Sequence, residues 1–163
     1  MEDDTPPQKP ESLLPYEDWT ADALRHVVVA AIRHAAANGL PGEHHFYLTF
    51  RTDDPRTAIP ARLKAQYPTE MTIVLQHQFW DLGYDDSSGL ISVGLSFGGV
   101  PATLVIPLDA VTAFADPHVG YGLRFRYVEP TAAAPEPEPA PPPAEAPQVV
   151  SLDAFRRRTP PKE

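Results

Sequence analysis

Few side chains in this sequence stand at spacings that support catalysis. His44-His45 is the one histidine pair. Neighbouring side chains of an extended segment point to opposite faces, so the two cannot readily chelate one metal ion. His26 and His34 fall on the flanks of a helical pattern and read as surface or half-core residues. Asp85-Asp86 sits in the turn-forming cluster Asp85–Gly89, which lacks the ligand spacing of a calcium loop. Ser87, Ser88, Ser92 and Ser96 lack the strand–turn–helix setting of an activated nucleophile, and no glycine-rich loop opens a helix to hold phosphate. The sequence therefore points away from chemistry and toward binding, and no cofactor or metal is expected.

Three segments suit contact with another chain. In Phe97-Gly98-Gly99-Val100-Pro101, two glycines at a strand end permit positive φ or the close approach of a second backbone. Gln76, His77, Gln78 and Phe79 place three hydrogen-bonding side chains and an aromatic ring at a strand break. Val149–Arg158 sets Val149, Val150, Leu152 and Phe155 beside Arg156, Arg157 and Arg158, in surroundings that offer nothing to bury them. A linear segment with aliphatic and aromatic anchors can dock in a groove or add as a strand, whereas a merely solubilising tail needs no such anchors.

The elements that position these segments follow from hydrophobic period. Tyr16, Trp19, Ala23, Leu24, Val27, Val28, Ala31, Ile32 and Ala35 recur at helical spacing, predicting one amphipathic helix over Tyr16–Asn38. Pro15 suits its first turn, and Asn38-Gly39 with Pro41 beyond stops it. Asp18, Asp22, Arg25 and Arg33 mark the opposite side, where Val29 would be a lone exposed valine and a weak pointer to self-association. After Gly42 the period becomes two. Phe46–Phe50, Met71–Leu75, Trp80–Tyr84, Ile91–Phe97, Ala102–Leu108 and Tyr121–Tyr127 read as five or six antiparallel strands. A helical turn or two is expected within Pro60–Pro68 and a short helix over Asp109–Phe114. Leu104-Val105-Ile106, apolar on both faces, reads as a central strand. The expected fold class is α+β, with the long N-terminal helix packed on a strongly curved antiparallel sheet or small open barrel.

Composition sets the boundaries. Ten of the 21 prolines lie between Pro130 and Pro161. Residues 1–12 are polar without period, and 13–128 carry the periodic apolar positions of a folded domain. Residues 129–148 form a Pro/Ala/Glu-rich tether, 149–158 the docking motif and 159–163 a disordered end. At about 3.1 Å per residue in extended polyproline form, the tether would reach roughly 60 Å. Net charge is −9 overall, and Leu13–Tyr127 carries 12 Asp/Glu against 8 Lys/Arg, or −4. That balance repels a phosphate backbone and disfavours nucleic acid. The sequence lacks cysteine, which excludes disulfides and thiolate chemistry. Neither a membrane-spanning run nor a signal-peptide pattern is present, so a cytoplasmic protein is expected.

Four blocks resemble the stringent starvation protein B (SspB) family, in that family's order. They are HHFYLTFRT at His44–Thr52, EMTIVLQHQFWDL at Glu70–Leu82, Ile91–Phe125 and VVSLDAFRR at Val149–Arg157. The helix entered through LLPYEDW at Leu13–Trp19, with VVSLDAF at the end, is similar to the alphaproteobacterial branch. The resemblance implies a homodimeric, Sm-like adaptor for the ClpXP protease. Such an adaptor binds ssrA-type degradation tags and docks through its tail on the N-terminal domain of the ClpX unfoldase. Carried over by position, the tag groove would use Gln76, His77, Phe79, Phe97, Gly98, Gly99 and Val100. Unfoldase docking would use Val149, Val150, Leu152, Phe155 and Arg156. The tail departs from the more distant branch in its residues. The rival readings are an Sm-like nucleic-acid-binding module and a small enzyme with a site not yet described.

Overall fold

The computed structural model describes residues 10–130, so the docking motif at 149–158 and nearly all of the tether lie outside the described residues. Helix α1 runs over Tyr16–Asn38 and ends where Gly39, at φ 72°, donates its N–H to the Ala35 carbonyl. Glu17 and Asp18 lie in its first turn, at the positive end of the helix dipole. The remaining elements are β1 (Phe46–Arg51), α2 (Ala61–Gln66), β2 (Glu70–Leu75), β3 (Trp80–Asp85), β4 (Leu90–Phe97), β5 (Val100–Pro107), β6 (Val111–Asp116) and β7 (Tyr121–Arg124).

The seven strands form two antiparallel sheets, ordered β2-β1-β6-β7 and β3-β4-β5. The expected α+β class, with a long N-terminal helix and open antiparallel strands, is what the chain adopts, and the strands divide into two open sheets around one core. Val28, Ile32 and Ala35 of α1 join Leu48, Phe50, Ile73 and Leu75 of the larger sheet and Ile91, Val93, Leu104 and Ile106 of the smaller in one buried cluster. Alternation along β2 is clean: Met71, Ile73 and Leu75 are buried while Glu70, Thr72 and Val74 face water.

Several expectations require correction. The residues Leu108–Ala110 make only a 3₁₀ turn, and Val111 begins a strand instead of continuing a helix to Phe114. Val111 and Thr112 are β-branched, and pairing with β1 decides their conformation. The run Leu104–Ile106 lies on an edge strand, β5. It tolerates apolar side chains on both faces because Ala58 forms a two-bond bridge with Val105 and covers part of that edge. Phe125 and Tyr127 lie beyond the end of β7. Helix α1 buries a narrower stripe than its apolar pattern indicates: Val28, Ile32 and Ala35 go inside, whereas Tyr16, Trp19 and Val27 stay 57%, 54% and 38% exposed. Val29 is buried rather than exposed, so the valine offered as a pointer to self-association carries no such weight.

Candidate peptide-binding site

The strand break after β2 and the tip of β4 come together across the two sheets. Val74, Gln76, His77, Gln78, Leu95 and Ser96 line an open cavity of about 330 Å³. Gln76, His77 and Gln78 are exposed in a bend between β2 and β3, where their side chains are not committed to packing. Leu95, 7% exposed, supplies an apolar surface. The lining is therefore amide, imidazole, hydroxyl and aliphatic. It offers hydrogen bonds and contact area without a nucleophile–base pair.

Immediately beyond Leu95-Ser96 comes the β4–β5 hairpin. Phe97 pairs with Val100, and Gly98 and Gly99 take φ of 59° and 80°. Both positive values match a two-residue type I′ loop, which demands glycine or asparagine at such positions. Nothing lies within 4 Å of where either glycine would carry a Cβ. Val100 is 48% exposed at the hairpin base. Phe97 and Phe79 are half-buried and pack against the central cluster. Of the residues assigned to the groove from sequence, Gln76 and His77 line the cavity and the Phe97–Val100 hairpin adjoins it through Ser96, while Phe79 packs against the core cluster and does not line it.

Sequence reasoning missed Arg62, Val74, Leu95 and Ser96. Arg62 projects from α2, and its Nη2 donates to the Phe97 carbonyl at 3.3 Å and the Val100 carbonyl at 3.5 Å. Nothing local marked Arg62, because its partners are 35 and 38 residues away. Leu95 and Ser96 carried a signal only in adjoining the double glycine.

Two titratable networks stand apart from this lining. Asp54 is fully buried and accepts from the Arg56 backbone N–H at 2.8 Å, the Arg56 guanidinium and the Tyr127 hydroxyl at 3.1 Å. Burial pushes its carboxyl up, but those donors together outweigh burial and hold it below the usual carboxylate range. Asp116, 5% exposed, lies 2.5 Å from His44 Nδ1. Burial again pushes upward, and the His44 hydrogen bond, together with the nearby His44 and His45 imidazoles and the His118 backbone N–H, outweighs it to leave the carboxyl lowered. His44 and Asp116 share a second cavity of about 200 Å³ with His34, Leu40, Pro41 and Phe46. This lining has no hydroxyl, thiol or amine nucleophile for the His–Asp pair to activate. Among the described residues no group of three or more His, Cys, Asp or Glu is placed to hold a metal ion. No described helix is long and apolar enough to cross a membrane.

The family model of stringent starvation protein B matches residues 18–162, nearly the whole chain. The chain belongs to that family. The match runs through the cavity, the hairpin and α2, and onward across the proline-rich segment into the 149–158 motif. No curated protein matches the sequence. The hydrogen bond between His44 and Asp116 ties the segment before β1 to the end of β6.

Proposed function

We propose that this protein is a proteolytic adaptor. It binds ssrA-type degradation tags in the groove formed by the β2–β3 bend and the β4–β5 hairpin, and delivers the tagged proteins to the ClpXP protease. One observation carries the reading: the exposed Gln76–Gln78 bend and the Leu95-Ser96 end of β4, next to the double-glycine hairpin, line one cavity in a chain of the SspB family. The family is one of adaptors rather than catalysts, and the cavity's amide, imidazole, hydroxyl and aliphatic groups suit hydrogen bonds and contact with a peptide. Gln76 and His77 would hydrogen-bond the tag while the hairpin forms its wall. Val149, Val150, Leu152, Phe155 and Arg156 would grip the ClpX N-terminal domain, and the composition of 129–148 suits the tether between the two. Tethering raises the local concentration of substrate at the unfoldase without any new contact. No nucleotide site is required, because the unfoldase supplies the work.

A dimer would bring two tails to one unfoldase. The exposed stripe on α1 supports it: Tyr16, Trp19, Ala23, Val27 and Ala30 follow one another at helical spacing on the water side, with Leu13 97% and Leu14 50% exposed before them. An apolar stripe of this length on a surface helix fits a second copy of the same helix across a two-fold axis.

The test removes Val149–Glu163. Tag affinity, measured by fluorescence anisotropy with a labelled tag peptide, should stay unchanged. Degradation of a tagged reporter by ClpXP should fall to its rate without adaptor. Full stimulation by the truncated chain, or loss of tag binding, would sink the two-part reading.

A further inference from the structure

We infer that the bound peptide lies as an added strand along the open edge of β2. This rests on the proposal that the groove takes a peptide, and it specifies which backbone atoms hold it.

Hydrogen-bond parity fixes those atoms. The Thr52 N–H donates to the Thr69 carbonyl at 2.9 Å, one step beyond the register Phe46↔Leu75 to Arg51↔Glu70. Opposed residues of an antiparallel ladder alternate between bonded and non-bonded pairs. Phe50/Met71, Leu48/Ile73 and Phe46/Leu75 are therefore the bonded pairs. Thr72 and Val74 turn their N–H and C=O groups away from β1, toward the free edge. The same parity can be checked on β5. There the Leu108 N–H bonds the Gly89 carbonyl, which turns Val105 outward, and at Val105 the Ala58 bridge occupies the edge with two bonds of 2.9 Å.

Sheet edges are ordinarily blunted, because a row of unpaired amides recruits other strands. Three of the four edges here are. β5 carries Pro101 and the Ala58 bridge, β3 is bulged between Trp80 and Gly83 beneath α1, and β7 is only four residues long. By contrast β2 is six residues long, regular throughout its pairing with β1, and charged only at Glu70. No backbone hydrogen bond from another described segment reaches Thr72 or Val74. Its end opens onto the cavity, since Val74 and Gln76 are among the lining residues. An extended peptide on this edge would take its hydrogen bonds from Thr72 and Val74, and alternate side chains would turn toward the cavity and away from it.

The experiment is a competition assay with a synthetic degradation-tag peptide and single N-methyl variants at each position of its bound segment. N-methylation removes one backbone donor and leaves the side chain. Affinity should fall about tenfold at every second residue, the size of one lost hydrogen bond of roughly 1.4 kcal/mol, and change little between. On the protein, Val74→Ala trims a lining side chain but keeps the N–H, whereas Val74→Pro also deletes that edge donor, which β1 does not use, so the proline variant should bind about tenfold more weakly than the alanine variant. If the unmodified peptide binds but the N-methyl scan shows no two-residue period, strand addition is wrong and groove binding survives. If the unmodified peptide does not bind, the peptide-binding reading itself fails.

Discussion

Substituting Gly94 by alanine isolates a single packing relation at the wall of the groove. Trp80 lies directly across from Gly94 in the β3–β4 register, and the bulge after it, with Asp81 at φ 49°, lays the indole on the glycine. A Cβ at Gly94 would fall among Nε1, Cε2 and Cδ1 of that ring, far inside contact distance. Either the indole leaves or β4 shifts. A fully buried indole covers up to about 250 Å². With Trp80 39% exposed, about 150 Å² is covered now, worth at most about 4 kcal/mol at 25 cal/mol/Å². The displaced ring would regain part of that by lying elsewhere on the sheet, so a loss of about 2 kcal/mol is expected. For a domain of this size that is a fall of about 8 °C in Tm. Urea titration gives the stability change, and a Trp19→Phe background leaves Trp80 as the sole tryptophan, whose selectively excited emission should move to the red. Because Leu95 follows Gly94 into the cavity, tag binding should weaken as well. A Gly94→Ala variant with unchanged urea midpoint and emission would show that the indole does not rest on Gly94 in solution.

Three further outcomes follow. Arg62→Ala removes the guanidinium held on the Phe97 and Val100 carbonyls of the hairpin, and should weaken tag binding about fivefold, one net hydrogen bond of about 1 kcal/mol. Adding Gly98→Asn, which makes the favoured Asn-Gly turn, should restore most of it, and a rescue that fails in anisotropy would mean Arg62 does not act through the turn. Trp19→Glu on the exposed stripe of α1 should reduce the mass by light scattering from about twice 17.9 kDa to that of one chain, while an unchanged dimer would place the interface elsewhere. Asp54 and Asp116 both have lowered folded-state pKa values, so each contributes stability that is complete above the unfolded carboxylate pKa of about 3.9 and is lost as pH falls through the folded values. Denaturation midpoints measured from pH 5 to pH 2 should therefore drop. Asp54→Asn should start lower and drop less, and a parallel pH profile would remove Asp54 from the acid response.

Much of the fold was legible because it is written in local period. Tyr16–Asn38 alternates apolar and polar residues every three to four positions with a glycine stop, and β2 and β4 alternate every two, so their existence and type needed no partner. Val111-Thr112 and Leu104–Ile106 misled for the opposite reason. A short apolar run has no period of its own, and it is the pairing of β6 with β1, and of Val105 with Ala58, that decides its state. The outward half of the α1 pattern misled too: Trp19 and Val27 are apolar like Val28, and only the placement of the sheets determines which of them is covered.

The candidate site divides along the same line. Sequence alone marked Gln76–Phe79 and Phe97–Val100 as candidates for contact, since hydrogen-bonding groups at a strand break and paired glycines at a strand end are local properties. It also determined the change in composition after Val128, which no folding can alter. Only tertiary structure could bring the β2–β3 bend against Leu95 and Ser96, set Arg62 on the hairpin carbonyls, and leave one edge of β2 unpaired among the described residues. Those relations join residues from about 20 to 38 positions apart in the chain. They arise from burying one core between two sheets, a many-body condition that no window of sequence contains.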